Sequence, residues 1–222
     1  DLITYKSGSN NTKRAVFGTP DKLYAHNGDS LTDITPIVTA VALTNPFNVS
    51  VGSPIVTCSD GSHNQAEGNY VLINTTVSAT IGGNIFLNDS VYEIVSVINT
   101  NVFTINAGTT AAATSAATGG SVTFSYLLPT GNSIAVGGLG YGAALFQAGV
   151  CASQTRAWNQ PSSADASDIV FDITQWSLDN WGDDVVANRN GGNIFYFDSD
   201  ASTVPIRATS ITTSPISVNS II

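Results

Sequence analysis

Short runs of β-branched and aromatic residues, broken by Gly, Pro, Asn and Asp, set the rhythm of this chain. Ala15 to Thr19 and Lys22 to His26 predict two strands about a turn, because Pro20 lacks the N–H a central ladder needs and Pro-Asp favours turns. Asn27-Gly28-Asp29 predicts the next turn, and Leu31 to Thr35 alternates apolar with polar as a half-buried strand does, ending at Pro36. From Ile37 to Leu128 strand follows strand: Ser53 to Cys58, Asn69 to Asn74, Val91 to Ile98, Val102 to Ile105 and Ser121 to Leu128. Asn99-Thr100-Asn101 joins the third and fourth of these as a tight hairpin turn, and Gly82-Gly83 and Gly119-Gly120 mark others. Ala111 to Ala117 is Ala/Thr/Ser low-complexity sequence, too short for an uncapped helix, and is expected to be an exposed loop. So many strands in so few residues predict a β-sandwich or barrel module over 37–128, inserted between flanking pieces.

The last third carries the densest aromatic pattern. After a Gly-rich connecting loop at 129–157, holding Tyr141 and Phe146, come Trp158, then Trp176-Ser177-Leu178-Asp179-Asn180-Trp181-Gly182-Asp183-Asp184. Val185 to Asn188 predicts a short strand, Asn190 to Asn193 a turn, and Ile194 to Asp198 a returning strand. This C-terminal meander, 158–222, shares its layout with the N-terminal one, 1–36: an apolar strand, a turn, then a Leu-Tyr or Ile-Phe-Tyr strand. Recurring units of that kind suggest propeller blades, although two do not close a propeller. The expectation is an all-β chain with propeller-like short-strand meanders and an inserted sandwich or barrel module.

Composition sharpens this picture. Hydrophobic residues make 42% and charged residues 10%, with 7 Lys+Arg against 16 Asp+Glu and a net charge of -9. All but two of the acids are Asp, a turn former rather than a helix former. Nine Phe, seven Tyr and three Trp supply a core, which argues against disorder. Scarce Lys and Arg argue against a protein that grips nucleic-acid phosphates. No apolar run is long and unbroken enough to span a membrane as a helix. There is no Met, so Asp1 is not expected to be the translation start. Cys58 and Cys151 allow one disulfide, but two buried thiols fit better.

Candidate chemistry is sparse. His26 and His63 are the only histidines, and neither has a second His or Cys at zinc-ligand spacing. His63, in Asp60-Gly61-Ser62-His63, invites a Ser/His/Asp triad, but no nucleophile elbow accompanies it, and both histidines are expected to be exposed turn or strand residues. The glycines of 131–149 lack the Gly-Lys-Ser/Thr of a phosphate loop and the GxGxxG of a dinucleotide site. Asp179, Asp183, Asp184, Asp198 and Asp200 could hold calcium or act as a glycosidase pair, yet turn-forming and capping roles account for them more simply. Trp158, Trp176 and Trp181 suit an interface better than a sugar platform. Trp176 and Trp181, taken as lying across a turn, suit one packing inward and one at a contact surface.

Two runs resemble a known family. Gly18-Thr19-Pro20-Asp21-Lys22-Leu23-Tyr24, closing on Leu31-Thr32-Asp33-Ile34-Thr35-Pro36, and Trp176 to Asp184 continuing through Gly191-Gly192-Asn193-Ile194-Phe195-Tyr196-Phe197-Asp198, resemble the hallmarks of tailed-bacteriophage virion proteins. That group comprises the tail-tube, nozzle and packaged-DNA-stabilisation proteins of the tail and head-to-tail junction. In it the two hallmarks flank an inserted β-module, and members are considerably longer than this chain. The resemblance implies a structural component of the virion, assembled as a homo-oligomeric ring that lines or seals the DNA passage. It implies neighbouring tail or portal/adaptor proteins as partners, no cofactor, no metal and no catalytic residues. Tight nucleic-acid binding is not expected, though DNA passes by during ejection. Interface candidates are Trp158, Trp176, Trp181, Tyr141 and Phe146. A receptor- or glycan-binding adhesin or tail-fibre module is the alternative, and a secreted carbohydrate-active enzyme ranks third.

Overall fold

Strands supply every regular element of the described residues, as the shortage of strong helix formers requires. The computed structural model describes residues 2–6, 13–19, 22–75, 80–87, 89–129, 176–189, 191–200 and 207–211. The first sheet is an antiparallel meander of β1 (Leu2–Lys6), β2 (Lys13–Gly18), β3 (Leu23–His26) and β4 (Leu31–Asp33). Side-chain caps fix its turns: Thr19 Oγ1 accepts from Lys22 N at 2.9 Å, and Asn27 Oδ1 accepts from Ser30 N at 2.9 Å. Cross-strand register puts Ile3, Val16 and Ala25 on one face, with Tyr5 and Arg14 beside them. The opposite face carries Thr4, Ala15, His26 and Leu31, with Lys6 opposite Lys13.

The middle of the chain forms an eight-stranded sheet that curls into a nearly closed barrel. Its strands are β5 (Ile37–Thr44), β6 (Phe47–Val49), β7 (Ile55–Ser59), β8 (Tyr70–Thr75), β11 (Ser90–Asn99), β12 (Val102–Asn106), β13 (Ser115–Thr118) and β14 (Ser121–Leu127). A small hairpin of β9 (Thr80–Ile81) and β10 (Ile85–Phe86) stands apart from the ladder. The sheet's two ends are one ribbon. β5 runs into β6 and β13 into β14, and these two segments pair along both halves. The ribbon bends at Asn45 and Gly119-Gly120, where Asn45 takes φ 52 and Gly119 and Gly120 take φ 116 and 66. Asn45 N donates to Gly120 O and Gly120 N to Asn45 Oδ1, both at 2.8 Å, stitching the corner. A glycine is required there sterically as well, because a Cβ on Gly119 would lie 2.4 Å from Phe47 Cδ2. Beyond the bend, β7, β12, β11 and β8 complete the circuit, and the last segment returns beside β8 in a Greek-key arrangement.

The barrel is filled by Phe47, Val56, Cys58, Ile73, Ile94, Phe103, Ile105, Phe124 and Tyr126. Tilted and edge-on ring pairs join Phe47, Phe124, Phe103 and Tyr126. Cys58 is a buried free thiol, and burial pushes its pKa up; Cys151 lies outside the described residues. Ala111 to Ala117 is the expected exposed loop at 112–114 and departs from it on either side. Ala111 is buried, Ser115–Thr118 pairs with β6, and Asn48 Oδ1 accepts from Ala117 N at 2.9 Å. The neighbouring asparagine gives this weak β former a partner that its own composition does not announce.

The third sheet is again a four-stranded meander, of β15 (Trp176–Trp181), β16 (Asp184–Arg189), β17 (Ile194–Phe197) and β18 (Thr209–Ser210). It shares one core with the first sheet, built from Tyr5, Val16, Leu23 and Ile34 on one side and Trp176, Val185, Ala187, Phe195, Phe197 and Ala208 on the other. β15 lies beside β1 and β2, and Ala208 N donates to Ile34 O at 3.0 Å, so the two meanders meet at both edges of their shared core. The chain enters and leaves the barrel at neighbouring points. Ile37 pairs with Leu127, Leu128 N donates to Pro36 O at 2.8 Å, and Leu128 packs into the sheet-pair core.

Candidate functional site

The polar groups buried in the barrel serve its structure. His63 is not the exposed turn residue its flanking sequence suggests; it is 6% exposed, with its ring edge-on to Phe103. Its Nδ1 accepts from Gln65 N at 3.0 Å, so the proton sits on Nε2, which donates to Asn99 O at 3.0 Å. Both nitrogens are thereby committed to backbone, and the imagined Ser/His/Asp relay has no base to offer. Asp60 is also buried, and the Tyr126 hydroxyl donates to its Oδ2 at 2.6 Å. Burial, then the Asp60 bond, raises the Tyr126 pKa. Nothing in Gly61-Ser62-His63-Asn64 signals burial; only the loop's closure over the barrel end creates it. His26 ends β3 in the open, its Nδ1 accepting from Gly28 N at 3.2 Å.

The acids of the third sheet fasten turns and join the two sheets. Asp184 Oδ1 accepts from Ser199 N at 3.0 Å, while its Oδ2 accepts from the Tyr196 hydroxyl, which holds that phenol up at about 12. Asp198 Oδ1 accepts from Asp200 N at 2.9 Å in a local Asx turn. Arg14 donates to Ser199 O and pairs with Asp200 at 3.4 Å, tying β2 to the turn after β17. At the other end Arg207 donates to Asp33 Oδ1 and to Thr35 O, each at 3.0 Å. Lys22 Nζ sits 3.1 Å from Asp33 Oδ2, an ion pair rather than an aligned hydrogen bond, and 4.3 Å from the Tyr70 ring centroid. Burial pushes the Asp33 pKa up, but Thr35, Arg207 and Lys22 together outweigh it and hold the carboxyl below its usual range. Among the described residues no group of three or more His, Cys, Asp or Glu is placed to hold a metal ion.

The aromatic candidates separate. Trp176 and Trp181 do not flank a turn but lie on one strand, β15, where an odd offset sends them to opposite faces. Trp176 is 4% exposed in the shared core, against Gly18, whereas Trp181 is 74% exposed at the tip of the β15–β16 hairpin. Trp158, Tyr141 and Phe146 lie outside the described residues. With Trp181, the outward face of the third sheet presents Asp179 and Asp184, and Asp183 is exposed in the hairpin turn. The outward face of the first sheet presents exposed Lys6, Lys13, His26 and Leu31. Sequence reasoning passed over the two lysines. Their signal is the Tyr5–Lys6 and Lys13–Arg14 pairs across one loop, legible only once register is known.

No family model matches the chain, and no curated protein matches it. Among solved structures it is similar to one titled Phage phi92 endosialidase, with 17% identity and a TM-score of 0.34 over 94% of this chain. The chain spans about 30% of the length of that protein, and a likeness so distant carries neither fold nor function across.

Proposed function

We propose that this chain is a structural component of a bacteriophage virion, in the tail (tube or nozzle) or the head-to-tail junction, assembling as a ring that lines or seals the DNA passage. One observation carries the reading: the two hallmark runs, far apart in sequence, fall in two four-stranded meanders that share one core. On this reading 1–36 and 158–222 form the body, 129–157 connects, and 37–128 is an inserted module. The side-by-side passage of the chain at Pro36 and Leu128 supports that division. The role is mechanical rather than catalytic, and the partners are further copies and neighbouring tail or portal/adaptor proteins. A surface with net charge -9 has little to offer phosphates, so DNA slides past without being held. Electron microscopy of the purified chain tests this. Annular particles with a central channel are expected, and isolated globular particles at every concentration contradict it.

Trp181 favours a second reading, an adhesin or tail-fibre module that stacks a glycan on its exposed indole. That reading requires host-surface oligosaccharide to quench tryptophan fluorescence and Trp181→Ala to abolish the response.

A further inference from the structure

Two stacked sheets bury one face each and leave two outer faces, and here those faces differ in charge. The outer face of β1–β4 carries a basic pair: Lys6 and Lys13 are cross-strand neighbours and both exposed, while Asp33, the acid its described strands place there, is held by Lys22 and Arg207, and Asp29 lies in the β3–β4 turn at the face's edge. The outer face of β15–β18 is acidic. Asp179 and Asp184 alternate with the inward residues, Asp183 and Asp198 are exposed at the same end, and Trp181 projects beside them. Within the chain, ion pairs already join the two sheets, Arg14 of β2 to Asp200 at one edge and Arg207 to Asp33 at the other.

We propose that the basic outer face of one copy docks on the acidic outer face of a second copy, continuing between chains the sheet-on-sheet stacking seen within one. This rests on the ring reading above and specifies its contact. Lys6 and Lys13 meet Asp179, Asp183 and Asp184, while Trp181 packs toward Leu31, itself 54% exposed. The contact is heterologous, because the two faces are different surfaces; such contacts propagate in one direction and close into a ring when the rotation per copy divides a full turn. A two-fold pairing of either face would set like charges against each other, which costs affinity.

Light scattering coupled to size exclusion, on the full chain and at two salt concentrations, tests the assignment. The wild type is expected to assemble, and to weaken as salt rises. Lys6→Glu with Lys13→Glu is expected to raise the dissociation constant by about a hundredfold or more, as is Asp179→Lys with Asp183→Lys. Combining all four substitutions restores the sign match and is expected to restore assembly. All substituted groups are surface residues, and unchanged far-ultraviolet circular dichroism confirms folding. Assembly indifferent to either reversal, or a quadruple variant that stays dissociated, overturns the face assignment while leaving the ring reading standing. A chain that stays monomeric overturns the assignment too, and the ring reading is then judged separately on the native particle.

Discussion

Gly18 is where the two stacked meanders come closest, so its substitution by alanine probes the sheet pair directly. A Cβ built on Gly18 falls 2.2 Å from Trp176 Cδ1, 2.4 Å from Cγ and 2.7 Å from Cβ. Carbon atoms settle at about 3.5–4.0 Å, so the indole must retreat by more than about 1 Å, and two of the clashing atoms lie at the base of its side chain where a rotamer change gives little relief. Gly18 has no positive φ, so backbone strain plays no part, and alanine in place of a strand glycine would otherwise gain about 0.5–1 kcal/mol. Overpacking is therefore the dominant effect, costing about 1–3 kcal/mol net. Trp176→Ala alone should cost about 3–5 kcal/mol through the cavity it leaves. In that background Gly18→Ala should become neutral or slightly stabilising, giving a coupling of about 1–4 kcal/mol. Urea unfolding followed by far-ultraviolet circular dichroism measures all four corners of the cycle, because two of them lack Trp176, and Trp181 is 74% exposed. Gly61→Ala, with nothing within 4 Å of its Cβ, is the control and should change little. Equal costs of Gly18→Ala with and without Trp176 would refute the packing argument.

Tyr126→Phe strips the buried Asp60 carboxylate of its hydroxyl donor and should destabilise the barrel by about 1–3 kcal/mol, read from a lowered urea midpoint. Asp33 has a folded pKa below its unfolded value, so its contribution is complete above the unfolded carboxyl pKa of about 3.9 and is lost as pH falls through the lower folded value. Asp33→Asn should therefore cost about 1.5–3 kcal/mol at neutral pH and flatten the acid limb of the stability curve, which a pH series of thermal melts will reveal. Gly119→Ala should destabilise through both its φ of 116 and the contact with Phe47, with loss of barrel signal in amide exchange at Phe124 and Phe103. Trp181→Ala should leave the melting temperature within a degree or two, since the indole is 74% exposed.

Strand positions were legible where β-branched residues ran between strong turn formers. Val91 to Ile98, Val102 to Ile105 and Ser121 to Leu128 lie within a residue of the strands observed, because Asn-Thr-Asn and Gly-Gly leave few other registers. Ile37–Thr44 was harder. It is an edge strand, largely exposed on both faces, so its sequence has no alternation for burial to enforce. The barrel's closure depended on a bend at Asn45 and Gly119-Gly120, and a glycine pair alone reads as a turn rather than as a corner in a continuing ribbon. The opposite fates of Trp176 and Trp181 follow from strand parity, which needs the strand assignment of β15 first. Lys6 and Lys13 became visible only through cross-strand register, and His63 only through the fold of the loop over it.

On the proposed function, this chain works as part of a ring around the path of DNA in a phage particle. Reconstruction of the tail and head-to-tail junction of the native particle by electron cryomicroscopy tests it most directly. Density for the two packed four-stranded sheets, repeated about the tail axis with the barrel attached to each copy, is expected. Density confined to peripheral fibres, or none in the particle, would contradict it.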